Sequence, residues 1–400
     1  MLTAPSAAHE TAVILSACRT PIGAFGGTLR DICAVDLGAV VVREAASRAG
    51  VALSALDDVI LGCVLQAGAG MNVARQAALK AGAPVDVPAE TVNRVCGSGL
   101  QAVAHAANAV RLGQAVYAVA GGTESMSQAP YLLKGSRWGY RMGHAEVLDL
   151  LVGEGLTCAI EACHMGSTAE AVAERFGITR SLQDSYAADS QGKAAETIAG
   201  GGFREEIVAV DVPQAKGEPR RFDTDEHPRA GITVEVLAGL RPAFASGGTV
   251  TAGNASGIND GAAALVVASA RTASQRGHEP LATIRSFAVT GVAPMLMGMG
   301  PVPAVRKALE RAGLPINQVD LFEINEAFAA QAVAVTRELA INPSKVNTRG
   351  GAIALGHPIG ASGARILTTL IYALRARGGG RGVAALCIGG GMGIAMVIEV

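Results

Sequence analysis

Short apolar runs and amphipathic stretches alternate along the chain. Thr11–Ser16, Val59–Val64, Ala89–Val95 and Val116–Ala120 are compact and apolar, which predicts buried strands. Between them, apolar positions recur with helical spacing. Ala34–Ala49 predicts a helix stopped at Gly50, and Asn72–Ala81 one stopped at Gly82. Leu100, Val103, Ala104, Ala107 and Val110 mark one face of a helix that ends at Gly113. Val383–Ile398 is uncharged but interrupted by Gly389, Gly390, Gly391 and Gly393. It reads as a strand, a glycine turn and a second strand rather than a membrane span. Strands alternating with helices predict an α/β protein with a parallel or mixed sheet.

Ser125–Val250 breaks this rhythm. Charged and turn residues increase there, and the single Trp, Trp138, sits near Tyr131 and Tyr140. This stretch reads as an inserted loop domain covering a site. The flanking regions repeat one pattern. Ser98-Gly-Leu-Gln-Ala-Val opens a helix, and a strand then leads to Gly121-Gly122. Ser362-Gly-Ala-Arg-Ile-Leu opens another helix, and a strand then leads to Gly389-Gly390. The expected organisation is one half from 1–124 with 251–277, a loop domain at 125–250, and a second half at 278–400.

Composition narrows the function. Lys plus Arg is 33 against 34 for Asp plus Glu, a net charge of -1, which argues against nucleic acid or a membrane surface as partner. Aromatics are 4%, too few for a platform that stacks single strands. There are 7 cysteines with no CxxC, which fits reduced thiols in a cytoplasmic enzyme better than a disulfide framework or zinc ribbon. Met1–Leu15 has no Lys or Arg before its apolar stretch, so no signal peptide is expected. No P-loop or HExxH is present, and Gly68-Ala-Gly70 lacks the third glycine of a dinucleotide fingerprint, with Val73 in its place. No metal and no cofactor are expected.

Four segments could carry chemistry. Cys96-Gly-Ser-Gly lies between a strand and a helix, where the helix dipole can lower a thiol pKa toward neutrality. Gly97 and Gly99 would let the backbone approach a substrate, although a buried structural cysteine fits the same setting. His357 sits in the glycine-dense turn Gly350–Gly363, placed to take a proton from a thiol. Cys387 precedes a second glycine turn, and the repeat suggests that it converges with Cys96. Asn325-Glu-Ala-Phe328 follows a buried strand. Asn325 could orient a water or cap a helix, and Phe328 could line an acyl tunnel. Thr251-Ala-Gly-Asn-Ala-Ser256-Gly reads only as a tight polar turn.

Together these segments resemble the thiolases. The matching residues are Arg19-Thr-Pro-Ile-Gly, Asn93-Arg-Val-Cys-Gly-Ser-Gly-Leu, Gly121-Gly-Thr-Glu-Ser-Met-Ser, Thr251-Ala-Gly-Asn-Ala-Ser-Gly, Asn325-Glu-Ala-Phe, Gly356-His-Pro-Ile-Gly-Ala-Ser-Gly and Cys387-Ile-Gly-Gly-Gly-Met-Gly, in family order over nearly the whole chain. The resemblance implies a five-layer αβαβα fold of two similar halves. It implies a reversible ping-pong Claisen condensation, with acyl-CoA and CoA as partners and coenzyme A as substrate rather than cofactor. Cys96 would carry the acyl thioester, and His357 would activate Cys96 and help hold the thioester oxygen. Cys387 would move the α-proton, Asn325 would fix a water, and the N–H groups of Cys96 and Gly389 would form an oxyanion hole.

His164-Met165-Gly-Ser-Thr resembles the acetoacetyl-CoA branch, in which the His164-Met165 pair would narrow the acyl pocket, and Phe244 and Phe328 would lie near the pantetheine and acyl ends. Ser256 would meet the pantetheine arm and Arg229 the nucleotide end. Gln101 and Thr348-Arg349 depart from that branch, which leaves a broad-chain 3-ketoacyl-CoA thiolase as the alternative. A non-catalytic acyl-CoA-binding homologue would lack one of the four reactive residues. The resemblance further implies a cytoplasmic homodimer or homotetramer serving fatty-acid metabolism.

Overall fold

The computed structural model describes residues 10–400, so most of Met1–Leu15 lies outside it. Its main sheet has ten strands. In chain order, nine of these are β1 (Ala12–Arg19), β2 (Asp58–Gly62), β3 (Ala89–Val92), β4 (Tyr117–Ser125), β5 (Asn259–Ser269), β6 (Ala282–Gly291), β7 (Leu321–Ile324), β8 (Arg381–Ile388) and β9 (Met392–Glu399). Gly23–Ala24 adds the tenth alongside β5. The spatial order is β7-β8-β9-β6-β1-β5-β4-β2-β3. It divides where β1 and β6 pair through only Val13↔Thr283 and Ile14↔Ala282. On either side the runs match strand for strand. β1-β5-β4-β2 corresponds to β6-β9-β8-β7, with two antiparallel pairings followed by a parallel one in each.

Period-two patterning assigns each face of these strands. Ala263, Leu265 and Val267 of β5, and Ile394, Met396 and Ile398 of β9, face a shared central core. Helices α3 (Ser98–Arg111) and α8 (Ser362–Ala376) fill that core and pack on each other. The alternate residues of β5 face α1 (Ala34–Arg48) and α2 (Val73–Ala81). Those of β9 face α6 (Pro301–Ala312) and α7 (Ala329–Glu338). Helices therefore lie outside, between and outside the two runs, giving the five layers. Every central side chain is buried on both sides, so a truncation such as Leu367→Ala costs about 2–5 kcal/mol.

Between β4 and β5, helices α4 (Met165–Phe176) and α5 (Arg180–Ala199) pack against α7. The hairpin Tyr131–Leu133/Val147–Asp149 instead projects into solvent, with Trp138 90% exposed between its strands.

Several element ends differ from the pattern-based reading for a tertiary reason. The Gly121-Gly122 pair does not end its strand, and β4 runs on to Ser125. A Cβ on Gly121 would lie 2.0 Å from Ala263 O, and one on Gly122 the same distance from Gly360 O. The glycines are there for close packing, not for turning. Asn325 does not cap a helix either: α7 begins at Ala329, with Phe328 in the capping position.

Candidate active site

The turn that presents Cys96 is held by its own hydrogen bonds. Ser98 Oγ donates to Val95 O at 2.6 Å and accepts from Arg94 N–H at 2.8 Å. Asn93 Oδ1 accepts from Val95 N–H at 2.9 Å. This folds Val95 into a left-handed conformation with φ 47°, a strained state for a β-branched side chain. Cys96 then stands ahead of α3, whose N-cap is Gly97.

The dipole expectation for Cys96 fails. Burial pushes its pKa up to about 11, and hydrogen bonding from the N–H groups of Gly389 and of Cys96 itself only partly offsets this. Desolvation outweighs the helix end. Cys96 therefore rests as a neutral thiol, with the two N–H groups expected to form an oxyanion hole already beside the sulfur. Burial, and then the neighbouring Cys96, also raise the Cys387 thiol.

Gly97 and Gly99 serve a different purpose from the substrate approach expected of them. A Cβ on Gly97 would meet Ile388 Cδ1 at 2.5 Å, and one on Gly99 would meet Ala364 N at 2.9 Å. A Cβ on Gly363 would meet Leu100 N at 2.3 Å. Gly99 and Gly363 let the first turns of α3 and α8 touch, and Gly97 lets the Cys96 turn lie against Ile388, the residue after Cys387.

His357 is buried and tightly oriented. Its N–H donates to Asn259 Oδ1 at 2.9 Å, and that side chain occupies the space a Cβ on Gly356 (φ +106°) would need. His357 Nδ1 lies 2.6 Å from Ser362 Oγ, and Ser362 Oγ donates to Pro358 O at 2.8 Å. The serine proton is thus committed to the carbonyl, so Ser362 accepts from Nδ1–H. That tautomer leaves the Nε2 lone pair as an acceptor, with Asn325 Nδ2–H donating to it at 3.5 Å. Burial, reinforced by the Arg365 charge, pushes the His357 pKa down to about 3, so the ring is a neutral base. Asn325 Oδ1 is buried and has no partner, as a water ligand would be.

Two buried carboxylates brace these loops. Glu124 accepts from the N–H groups of Val64 at 3.0 Å, Leu65 at 3.1 Å and Gly360 at 2.8 Å. Glu326 accepts from Tyr186 at 3.1 Å, Ser190 at 2.7 Å, Asn347 at 2.8 Å and Ile353 N–H at 3.1 Å. Neither sits at a helix N-terminus.

Above Cys387 lies an apolar cluster containing Ala169, Val250, Ala255, Met297, Ala327 and Phe328, with Met165 and Phe244 packed against it. The Phe244 ring stacks on His164 at 4.8 Å and meets Phe328 edge-on at 6.3 Å. His164 caps α4 by accepting Gly166 N–H at 3.0 Å, which aims Met165 inward; its Sδ lies 3.3 Å from where a Gly389 Cβ would sit. Ser256 borders the cluster and is fixed through its N–H to Ala327 O at 3.0 Å. Arg229 is exposed, apart from the cluster, and holds Gln191 through its backbone N–H. Arg349 donates to Gly202 O at 2.8 Å and Tyr372 O at 3.1 Å, a structural use directed away from the pocket.

Sequence models of the thiolase N-terminal domain and the thiolase C-terminal domain match residues 12–271 and 278–400. The chain belongs to the thiolase family. An acetyl-CoA acetyltransferase of Cupriavidus necator is 56% identical over 387 residues, covering 97% of this chain and 98% of that protein. One from Escherichia coli K12 is 56% identical over 391 residues, covering 98% and 99%. The crystal structure of the Bacillus anthracis acetyl-CoA acetyltransferase superposes with a TM-score of 0.96 at 47% identity, covering 98% of this chain and 100% of that one.

In this thiolase, sequence reading missed Ser362, Asn259 and Met297. Ser362 had a signal, a hydroxyl five residues after the histidine at the first position of the next helix. Asn259 and Met297 come from distant segments and had none.

Proposed function

We propose that this thiolase is an acetyl-CoA C-acetyltransferase that condenses two acetyl-CoA molecules to acetoacetyl-CoA and CoA, and runs the reverse thiolysis. The observation that carries this reading is the Cys96 sulfur set against the Gly389 N–H and the neighbouring Cys387 thiol, with Cys387 packed in an apolar cluster with Met165, Phe244, Met297 and Phe328.

Acyl transfer begins with Cys96 as a neutral thiol. His357 Nε2 takes its proton as sulfur attacks the thioester carbonyl, and the N–H groups of Cys96 and Gly389 hold the developing oxyanion. Proton transfer accompanies attack, because burial disfavours a free Cys96 thiolate. As CoA departs, its sulfur takes the Cys387 thiol proton, which leaves a Cys387 thiolate, and His357 keeps the Cys96 proton. The second acetyl-CoA places its thioester oxygen where the protonated His357 Nε2 and a water held by Asn325 donate to it. The Cys387 thiolate removes the methyl proton and becomes a thiol again. The enolate carbon attacks the Cys96 thioester, and the departing Cys96 sulfur recovers its proton from His357.

The bulk of Met165, Phe244, Met297 and Phe328 packed around Cys387 favours a four-carbon product over the broad-chain reading. Ser256 lies along the pantetheine arm, and the exposed Arg229 meets the nucleotide end. Exposed Trp138 and Met142 (93%) on the projecting hairpin support assembly into a homodimer or homotetramer. Among the described residues no helix is long and apolar enough to cross a membrane, and a cytoplasmic location is our reading.

The test is thiolysis of acetoacetyl-CoA and of an eight-carbon 3-ketoacyl-CoA by purified protein. Turnover of acetoacetyl-CoA with little of the longer substrate supports the assignment. Comparable rates would move it to the broad-chain class, and no turnover of either would leave a binding protein.

A further inference from the structure

A second pair of thiols lies outside the reaction described above. Cys158 and Cys163 are free and directly opposite each other in the short antiparallel hairpin Thr157–Cys158/Cys163–His164. Side chains opposite each other in such a pair leave the same face. Their Cα atoms stand about 4.5–5.5 Å apart by the geometry of the ladder, inside the roughly 4.4–6.8 Å window that a disulfide spans. Cys158 is buried and Cys163 is half-buried, so one thiol can be reached from solvent and the other can resolve it.

The hairpin borders the active site on both sides. Leu156, just before it, packs in the cluster that includes Cys96, and His164, at its end, stacks on Phe244. Its turn residue Ile160 reaches to 3.9 Å from where a Gly390 Cβ would sit, over the glycine loop that carries the Gly389 N–H. Strands of two residues each hold such a hairpin weakly on their own.

We propose that Cys158 and Cys163 form a dithiol–disulfide site that clasps this hairpin over the Gly389 loop when a low-molecular-weight disulfide oxidises it. The thiolate of Cys163 attacks one sulfur of the small disulfide, forming a mixed disulfide and releasing one small thiol. The thiolate of Cys158 then attacks the Cys163 sulfur and expels the second small thiol. The protein loses two hydrogens and gains one S–S bond, while the small disulfide is reduced to two thiols.

Trypsin gives a direct readout, because no Lys or Arg lies between Arg141 and Arg175. The peptide Met142–Arg175 therefore carries both cysteines and neither Cys96 nor Cys387. After treatment of the native protein with oxidised glutathione, this peptide should be lighter by two hydrogens and lose both alkylatable thiols, with dithiothreitol restoring them. Hydrogen exchange of the hairpin N–H groups should slow by on the order of tenfold or more, as a closed loop of this length implies. In Cys158→Ser the peptide should instead retain one glutathione on Cys163. Two unmodified thiols, separate glutathione adducts on both cysteines of the native protein, or unchanged exchange after bond formation would each overturn the proposal.

Discussion

Replacing Ser362 with alanine tests how the imidazole is armed. Ser362 Oγ is 2.6 Å from His357 Nδ1 and donates to Pro358 O, so the hydroxyl fixes which ring nitrogen carries the proton. In Ser362→Ala, Nδ1–H loses its acceptor in a buried site, at a cost of about 1–3 kcal/mol. The ring can escape that cost by moving the proton to Nε2, which removes the base. Either route weakens acylation, and at about 1.4 kcal/mol per tenfold the rate should fall roughly 10- to 100-fold. The assay is the pre-steady-state release of CoA from acetyl-CoA. The rate constant should drop while the KM for acetyl-CoA changes little, and Ser362→Thr, which keeps a hydroxyl, should recover most of the loss. Acylation within twofold of the native rate, with an unaltered pH profile, would refute the tautomer argument.

Other substitutions separate the remaining roles. Cys387→Ser should still release CoA and form the acyl-enzyme but lose condensation by two or more orders of magnitude, ~10²–10⁴-fold for a removed general base; equal loss of both half-reactions would contradict the assignment. Met165→Ala opens the pocket wall beside Gly389, and should improve longer 3-ketoacyl-CoA turnover relative to acetoacetyl-CoA by about 10-fold or more, read as a ratio of kcat/KM values. His357 also sets a pH dependence of stability. Its folded pKa, near 3, lies below its unfolded value, so the unfolded chain binds the extra proton first. The contribution is complete above about pH 6.5 and is lost as pH falls toward 3. His357→Gln should flatten the decline of Tm across that interval, and a parallel decline in both proteins would argue against it.

Much of the site was legible because its chemistry is local. The strand–turn–helix around Cys96 and the glycine hairpin after Cys387 are written in contiguous residues, and so is the Gly82 stop of α2, which adopts φ +105°. What escaped reading depends on partners far along the chain. Gly99 and Gly363 look like flexible turn residues until α3 and α8 are placed against each other. Glu124 and Glu326 look like ordinary polar residues, yet each gathers donors from loops many residues away. The Cys96 pKa was misjudged for the same reason. A dipole can be inferred from sequence order, whereas the desolvation that overrides it comes from segments far along the chain, with Leu65, Leu151 and Ile359 in the cluster against which Cys96 packs.

The most direct test of the account is to find where the acetyl group rests. The protein is mixed with acetyl-CoA, quenched in acid and digested with trypsin, which isolates Cys96 in Val95–Arg111 and Cys387 in Gly382–Val400. The account predicts one acetyl group on the Cys96 peptide, in the native protein and in Cys387→Ser alike. Acetyl on the Cys387 peptide, or on neither, would contradict it.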